Sequence, residues 1–345
     1  MIKRPMNTKL AALTLGLITF AASLGLSAPT PARAEVAEVA LAQQFGIIFA
    51  PLMVMEKLKL VEKHATAKGM PELKVNWTKL AGPAVMVDAM LSGNLHFSSQ
   101  GLPSMALLWD RTRNGIGVKA ISAINASPIF LNTRNPNIKS LKDFTDKDRI
   151  ALPSIKVSSQ AIYLQIAAEK AFGPGKHAQL DHLAVALSHP DAVAAVMNPS
   201  SEIATHFATS PFHEVEKRAG FHTIMSSYDI MGGESTILTF ISTEKFRADN
   251  PKVYAIVVAA FEEAMEYANA DLRRLVKLYA EVANDKKSTE DELHAIVTQP
   301  GFKYSKSPTT VGAMTEFMHK IGLIKNKPAS WKDLFFPEAH GFGGN

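Results

Sequence analysis

The chain has 345 residues, with 37 Lys and Arg against 32 Asp and Glu, and no cysteine. The missing cysteine excludes disulfides, a thiolate nucleophile, cysteine metal sites and a lipid anchor on an N-terminal cysteine. The formal charge of +5 does not signal a nucleic-acid binder, because Lys3, Arg4, Lys9 and Arg33 all sit in a leader-like segment and +1 remains without them.

That segment comes first. A basic start is followed by the uncharged apolar run Leu10 to Leu26, and Ala32-Arg33-Ala34 offers a small-x-small cleavage site. The pattern predicts a cleavable signal peptide over residues 1–34 and export to a bacterial periplasm. The alternative is an uncleaved membrane anchor, disfavoured by Thr14, Thr19 and Ser23 within the run. The chain from Glu35 onward is long enough for two lobes with their own cores.

Val36 to Ala42 reads as a buried parallel strand, ending in Gln43-Gln44-Phe45-Gly46. Pro51 suits the first turn of a helix reaching about Lys57. Leu73, Val75 and Trp77 alternate with polar residues, as in a strand with one wetter face. Val85, Val87, Met90 and Leu91 are expected to line one side of a helix that Gly93 ends. Leu102 to Arg113 is a helix and Val118 to Ala126 a strand. At Ser127-Pro128 the character resets, so Asn125 to Pro128 reads as a first crossing between lobes. Ile129 to Asn132 is a strand, Ser140 to Asp143 a capping box, and Arg149 to Leu152 a strand. Ser158-Ser159-Gln160 opens a helix that Gly173 stops. Leu183 to Leu187 is a strand, and Ser188 caps a helix through Met197. Phe221 to Ser226 is a strand, Met231 to Glu234 a turn, and Ile237 to Ser242 a strand returning to the first lobe. Beyond Thr243 the chain is helical, with a loose Gly-rich tail from Pro337. The lobes are therefore expected at 35–125 with 235–345, and at 126–234.

One unit occurs twice. Met90 to Pro103 and Ala195 to Phe212 each place an apolar helix face, a break, His-Phe, small polar residues and a Pro near a helix start. Two such units about a domain length apart predict two lobes of like topology. Ligands of parallel α/β sheets sit beyond the strands' C-terminal ends. Ser99 and Gln100, and on the other lobe Ser210, are placed there, so a ligand between lobes is expected.

Helix starts at Ser99-Gln100-Gly101 and at Ser158-Ser159-Gln160 favour an anion, through free N–H groups and the helix dipole. Their plain alternative is N-capping. Gln43, Gln44, Phe45 and Gly46 follow the first strand. Phe45 and Phe207 suit either a ligand wall or a core. His206 is a candidate donor to an anion. A metal site of His206, His213 and His222 lacks any supporting spacing. No nucleophile elbow or phosphate loop occurs, so a periplasmic enzyme using His206 as a general base is the weaker alternative to a solute receptor, and a sensor subunit reporting to a signalling partner is a third reading.

Gly46, Pro51 and Glu56-Lys57-Leu58, then Ala89 to Gly93, Ile138 to Phe144 and Arg149 to Pro153, appear in order over Val39 to Lys245. This series resembles the substrate-binding proteins of nitrate/taurine/sulfonate-class ABC importers. The resemblance implies an α/β, type II periplasmic binding-protein fold, with two α/β lobes joined by two crossings around a cleft. It implies a non-enzymatic receptor for a small-molecule solute, working with an ABC permease and its ATPase at the inner membrane. No cofactor, no nucleic acid and a monomer are expected. His96 departs from the family, which often has Asp there. The pyrimidine-synthesis branch relies on a Cys-rich motif that this chain lacks.

Overall fold

The computed structural model describes residues 1–2 and 34–345, so the expected leader lies outside the described residues apart from Met1, Ile2 and Ala34. Glu35–Asn345 is a unit of its own. Its strands are β1 (Glu38–Gln43), β2 (Lys74–Lys79), β3 (Phe97–Gly101), β4 (Val118–Ala126), β5 (Phe130–Thr133), β6 (Arg149–Leu152), β7 (Ala184–Ala186), β8 (Ile203–Ala208), β9 (His222–Ser226), β10 (Thr236–Thr243) and β11 (Lys303–Tyr304). They form a six-stranded sheet in the order β11-β4-β10-β3-β1-β2 and a five-stranded sheet in the order β7-β6-β8-β5-β9.

The two sheets share one plan. In the first, β3 pairs parallel with β1 and antiparallel with β10, and β10 pairs antiparallel with β4. In the second, β8 pairs parallel with β6 and antiparallel with β5, and β5 pairs antiparallel with β9. So β3 and β8 are equivalent central strands, as the repeated unit predicts. The His-Phe pairs within them are not equivalent. Phe97 opens β3, whereas Phe207 is deep in β8. The chain leaves the first sheet after Ala126 and returns to it at Thr236.

Helices cover both sheets: α1 (Ala50–Lys57), α2 (Leu60–Ala67), α3 (Pro83–Leu91), α4 (Leu102–Thr112), α5 (Ser159–Phe172), α6 (His189–Met197), α7 (Phe212–Arg218), α8 (Ser227–Met231), α9 (Glu244–Asp249), α10 (Pro251–Ala270), α11 (Leu272–Ala283), α12 (Glu290–Thr298) and α13 (Val311–Lys320). Local chemistry explains their bounds. Ser158 Oγ accepts the Ala161 N–H and caps α5, and Gly173 at φ 104° ends it. Ser188 caps α6 in the same way, with Pro190 in the first turn. Ser226 and Asp229 form a capping box that starts α8, which fills the stretch between the expected strand ending at Ser226 and the expected turn from Met231.

The core of the first lobe centres on β10, all eight of whose residues are buried. Phe240 stacks between Phe97 and Phe261, with ring centroids 5.7 and 4.7 Å away. Burial of each such side chain stabilises the fold by about 1.5–3 kcal/mol.

Two expectations are corrected. On α3 the buried stripe is Pro83, Met86, Val87 and Met90, while Val85 and Leu91 are 47% and 43% exposed. The stripe follows three- and four-residue spacing, which excludes Val85 from Val87's face. The C-terminal tail is pinned, not loose. Phe335, Phe336 and Ala339 are buried. Asn345 accepts the Val311 N–H at 2.9 Å through its backbone O and the Thr310 N–H at 2.6 Å through its Oδ1.

Candidate inter-lobe cleft

The C-terminal ends of β1 and β3, with the start of α3, supply one wall of a cleft. Gln44, Ile48, Phe49, Pro83 and Gly101 line it, joined by Ile237 and Leu238 of β10. The ends of β6 and β8, with the starts of α5 and α6, supply the other. Pro153, Ser158, Ser159, Gln160, His189 and Thr209 line that side.

The two walls touch. Ala84 N–H donates to Ser154 Oγ at 3.3 Å, and Ser104 Oγ donates to Val157 O at 2.7 Å. Ile47 N–H donates to Ser210 O at 3.3 Å. Two glycines allow this approach. A Cβ at Gly82 would stand 2.5 Å from Pro153 O, and one at Gly101 would stand 2.6 Å from Ser159 Oγ. The Gly82 contact is with backbone, which cannot turn aside, so this approach of the walls needs glycine there; a Cβ at Gly101 would instead displace the Ser159 hydroxyl.

Among the described residues, no Lys, Arg, Asp or Glu lines the inner cleft. Its polarity comes from amides, hydroxyls, one imidazole and the first turn of α5. The N–H groups of Ser159 and Gln160 are first-turn donors with no intrahelical partner. Thr209 Oγ1, Ser99 Oγ, Gln100 Oε1 and Gln43 Oε1 are buried without a hydrogen-bond partner. Of these only Thr209 lines the cleft, and an orphaned buried polar atom there is costly unless something else satisfies it.

The sequence-derived candidates divide as follows. Gln44 and Ser159 line the cleft. Gln44 Nε2 meets only Met86 Sδ, at 3.2 Å. Ser158 also lines it, but its Oγ is occupied, donating to Ser154 O at 2.6 Å while capping α5. Gln43 closes β1, with Nε2 donating to Glu56 Oε2 at 2.5 Å. Ser99 and Gln100 lie within β3, not in a turn after it, and are fully buried between β1 and β10. Phe45 and Gly46 line a neighbouring outer groove with Pro190, Pro211 and Phe212, where Lys79 Nζ stands 5.9 Å from the Phe45 ring. Ser210 donates to Glu214 Oε1 at 2.8 Å.

His206 and Phe207 are corrected. Both lie inside β8 and are fully buried. Phe207 belongs to the core. His206 has both ring nitrogens engaged, Nδ1 with Glu216 Oε1 at 2.5 Å and Nε2 with His189 Nδ1 at 2.8 Å. The imidazole that reaches the cleft is that of His189, whose Nε2 stands 3.2 Å from Gln160 Nε2. Burial, and then the neighbouring His206, hold His189 well below the usual imidazole range. His189 was not among the sequence-derived candidates, whereas Gln160 belongs to the helix start singled out there. The available signal was Ser188-His189-Pro190 at a helix start after a strand. Among the described residues, no group of three or more His, Asp or Glu is placed to hold a metal ion.

No protein-family model and no curated protein matches this chain in sequence. Solved structures do match it in shape. The alkanesulfonate-binding protein SsuA from Xanthomonas axonopodis pv. citri, bound to MOPS, aligns with a TM-score of 0.66 at 14% identity, over 87% of this chain and 98% of its own. The Candida albicans CA3427 gene product, described as having the generic periplasmic binding protein fold, aligns at 0.62 with 10% identity, over 89% and 96%. This chain has the periplasmic binding-protein fold. The periplasmic nitrate-binding protein NrtA from Synechocystis PCC 6803 aligns at 0.58 with 14% identity, over 76% of this chain and 70% of its own. Within the binding-protein fold, the ends of β1, β3, β6 and β8 converge on the space between the two sheets. No described helix is long and apolar enough to cross a membrane.

Proposed function

We propose that the protein is the exported solute receptor of an ABC importer. It captures a small organic anion, sulfonate- or carboxylate-like, between its lobes and delivers it to a membrane permease driven by an ATPase. The observation that carries this reading is the first turn of α5 at a cleft without charged side chains. There the Ser159 and Gln160 N–H groups and the Ser159 hydroxyl offer donors to a charged head, and the helix dipole favours its charge. The solved structures of like fold include proteins named for sulfonate and nitrate binding, which supports the solute class.

A thermal-shift screen of sulfonates, carboxylates and nitrate tests this. A bound solute at about a hundred times its Kd adds ~2.7 kcal/mol of stability, a clear rise in Tm. The solute should be recovered unchanged after incubation. Chemical conversion would point to an enzyme instead, and no shift with any anion would contradict the anion reading.

A further inference from the structure

A chain of five buried side chains runs from the second lobe's core to the cleft. Asn132 Nδ2 donates to Glu216 Oε2 at 2.7 Å. Glu216 Oε1 meets His206 Nδ1 at 2.5 Å, His206 Nε2 meets His189 Nδ1 at 2.8 Å, and His189 Nε2 meets Gln160 Nε2 at 3.2 Å. Glu216, His206 and His189 are at least nine-tenths buried, and Gln160 and His189 line the cleft.

The donor directions in such a chain are not independent. An amide Nε2 only donates, so His189 Nε2 is the acceptor. A neutral imidazole then carries its proton on Nδ1, which donates to His206 Nε2. His206 in turn carries its proton on Nδ1 and donates to Glu216. An ionised carboxylate only accepts, which matches the Asn132 N–H on its other oxygen. Every link is consistent with one direction, from cleft to core. Gln160 is thereby held with Nε2 against His189, while its Oε1 makes no hydrogen bond among the described residues.

We propose that Glu216, out of reach of the cleft, sets the hydrogen-bonding polarity of the cleft wall through His206 and His189. It leaves the Gln160 carbonyl oxygen as an acceptor for solute. The solute class follows, on the reading that this cleft is the binding site: a small acid that also carries an N–H or O–H donor facing Gln160. Glu216 is a positioning residue, since it touches no solute. The low proton affinity of His189, from burial and His206, agrees with its neutral form.

Glu216→Gln tests the direction itself. Glutamine has nearly the same shape, accepts from Asn132 through Oε1, and donates to His206 Nδ1 through Nε2. That reverses each link and turns the Gln160 amide. Long-range 1H–15N spectra of the purified protein, labelled with 15N-histidine at pH 7, read the tautomers directly. Wild type should show His189 and His206 neutral and protonated on Nδ1. In Glu216→Gln both protons should move to Nε2. An imidazolium at His206 in wild type, or Nε2 protonation there, overturns the proposal without any variant, as do unmoved tautomers in a folded Glu216→Gln. Any solute found in the thermal-shift screen should lose about tenfold or more in affinity for Glu216→Gln, and unchanged affinity would also contradict the proposal. A wild type that shows these tautomers yet binds no solute would instead sink the receptor reading alone.

Discussion

Ser159 and His206 looked alike as ligand candidates, and their environments now separate them. Ser159 lines the cleft beside the free N–H groups of α5, and Ser158 does the capping. Ser159→Ala should cost ~1.5–3 kcal/mol of binding, or about tenfold to over a hundredfold in Kd, with little change in the Tm of the empty protein. His206→Ala should act on the fold. It leaves Glu216 Oε1 and His189 Nδ1 buried without the partner His206 gave them, at about 1–3 kcal/mol for each unsatisfied buried group. Thermal unfolding of the two variants checks both expectations, and a His206→Ala protein as stable as wild type would contradict the second. His213 adds a pH dependence. Burial first, and then Lys217, push its imidazole from the ordinary 6.5 down to about 3. Its folded pKa is thus below its unfolded one, so the unfolded chain binds more protons in acid. The stability tied to neutral His213 is fully present above pH 6.5 and is lost as pH falls toward about 3. His189 acts with the same sign. His213→Gln should show a shallower fall of Tm between pH 7 and 4 than wild type.

Elements with strong punctuation were legible in the chain. β4 and β6 have the bounds their apolar runs predict, and α5 and α6 start at their serine caps. β3 was misjudged in part because Ser98-Ser99-Gln100 reads as a polar turn. Tertiary pairing with β1 and β10 makes those residues a buried strand. Propensity is a weak guide to such a central strand. His189 escaped notice for a related reason: its meaning lies in contacts to Gln160 and His206, which only the fold brings together. At this scale the two close-approach glycines make a further prediction. Gly82→Ala places a methyl against the backbone Pro153 O and obstructs the contact between walls, and Gly101→Ala displaces the Ser159 hydroxyl from its place in the cleft. Each should weaken solute binding, chiefly through faster release, while the empty protein melts within about 2 °C of wild type, as expected for a change of under 0.5 kcal/mol. Equal affinity in both variants would show that closure does not bring these walls together.

At the scale of the whole molecule, the account rests on two lobes that open and close about two crossings. We propose the segments near Asn125–Pro128 and Gly232–Ser235 as hinges. Gly232 and Gly233 sit at φ 80° and 151°, where only glycine moves freely, and Ser235 Oγ meets Tyr163 OH at 3.1 Å beside them. The like topology of the two sheets was visible in the repeated unit, but the walls' contact was not, since no periodicity records it. Small-angle X-ray scattering, with and without a solute that raises the Tm, tests the central claim most directly. A smaller radius of gyration is expected at saturation than for the empty protein. The same profile in both states, with binding verified in the same sample, would contradict it.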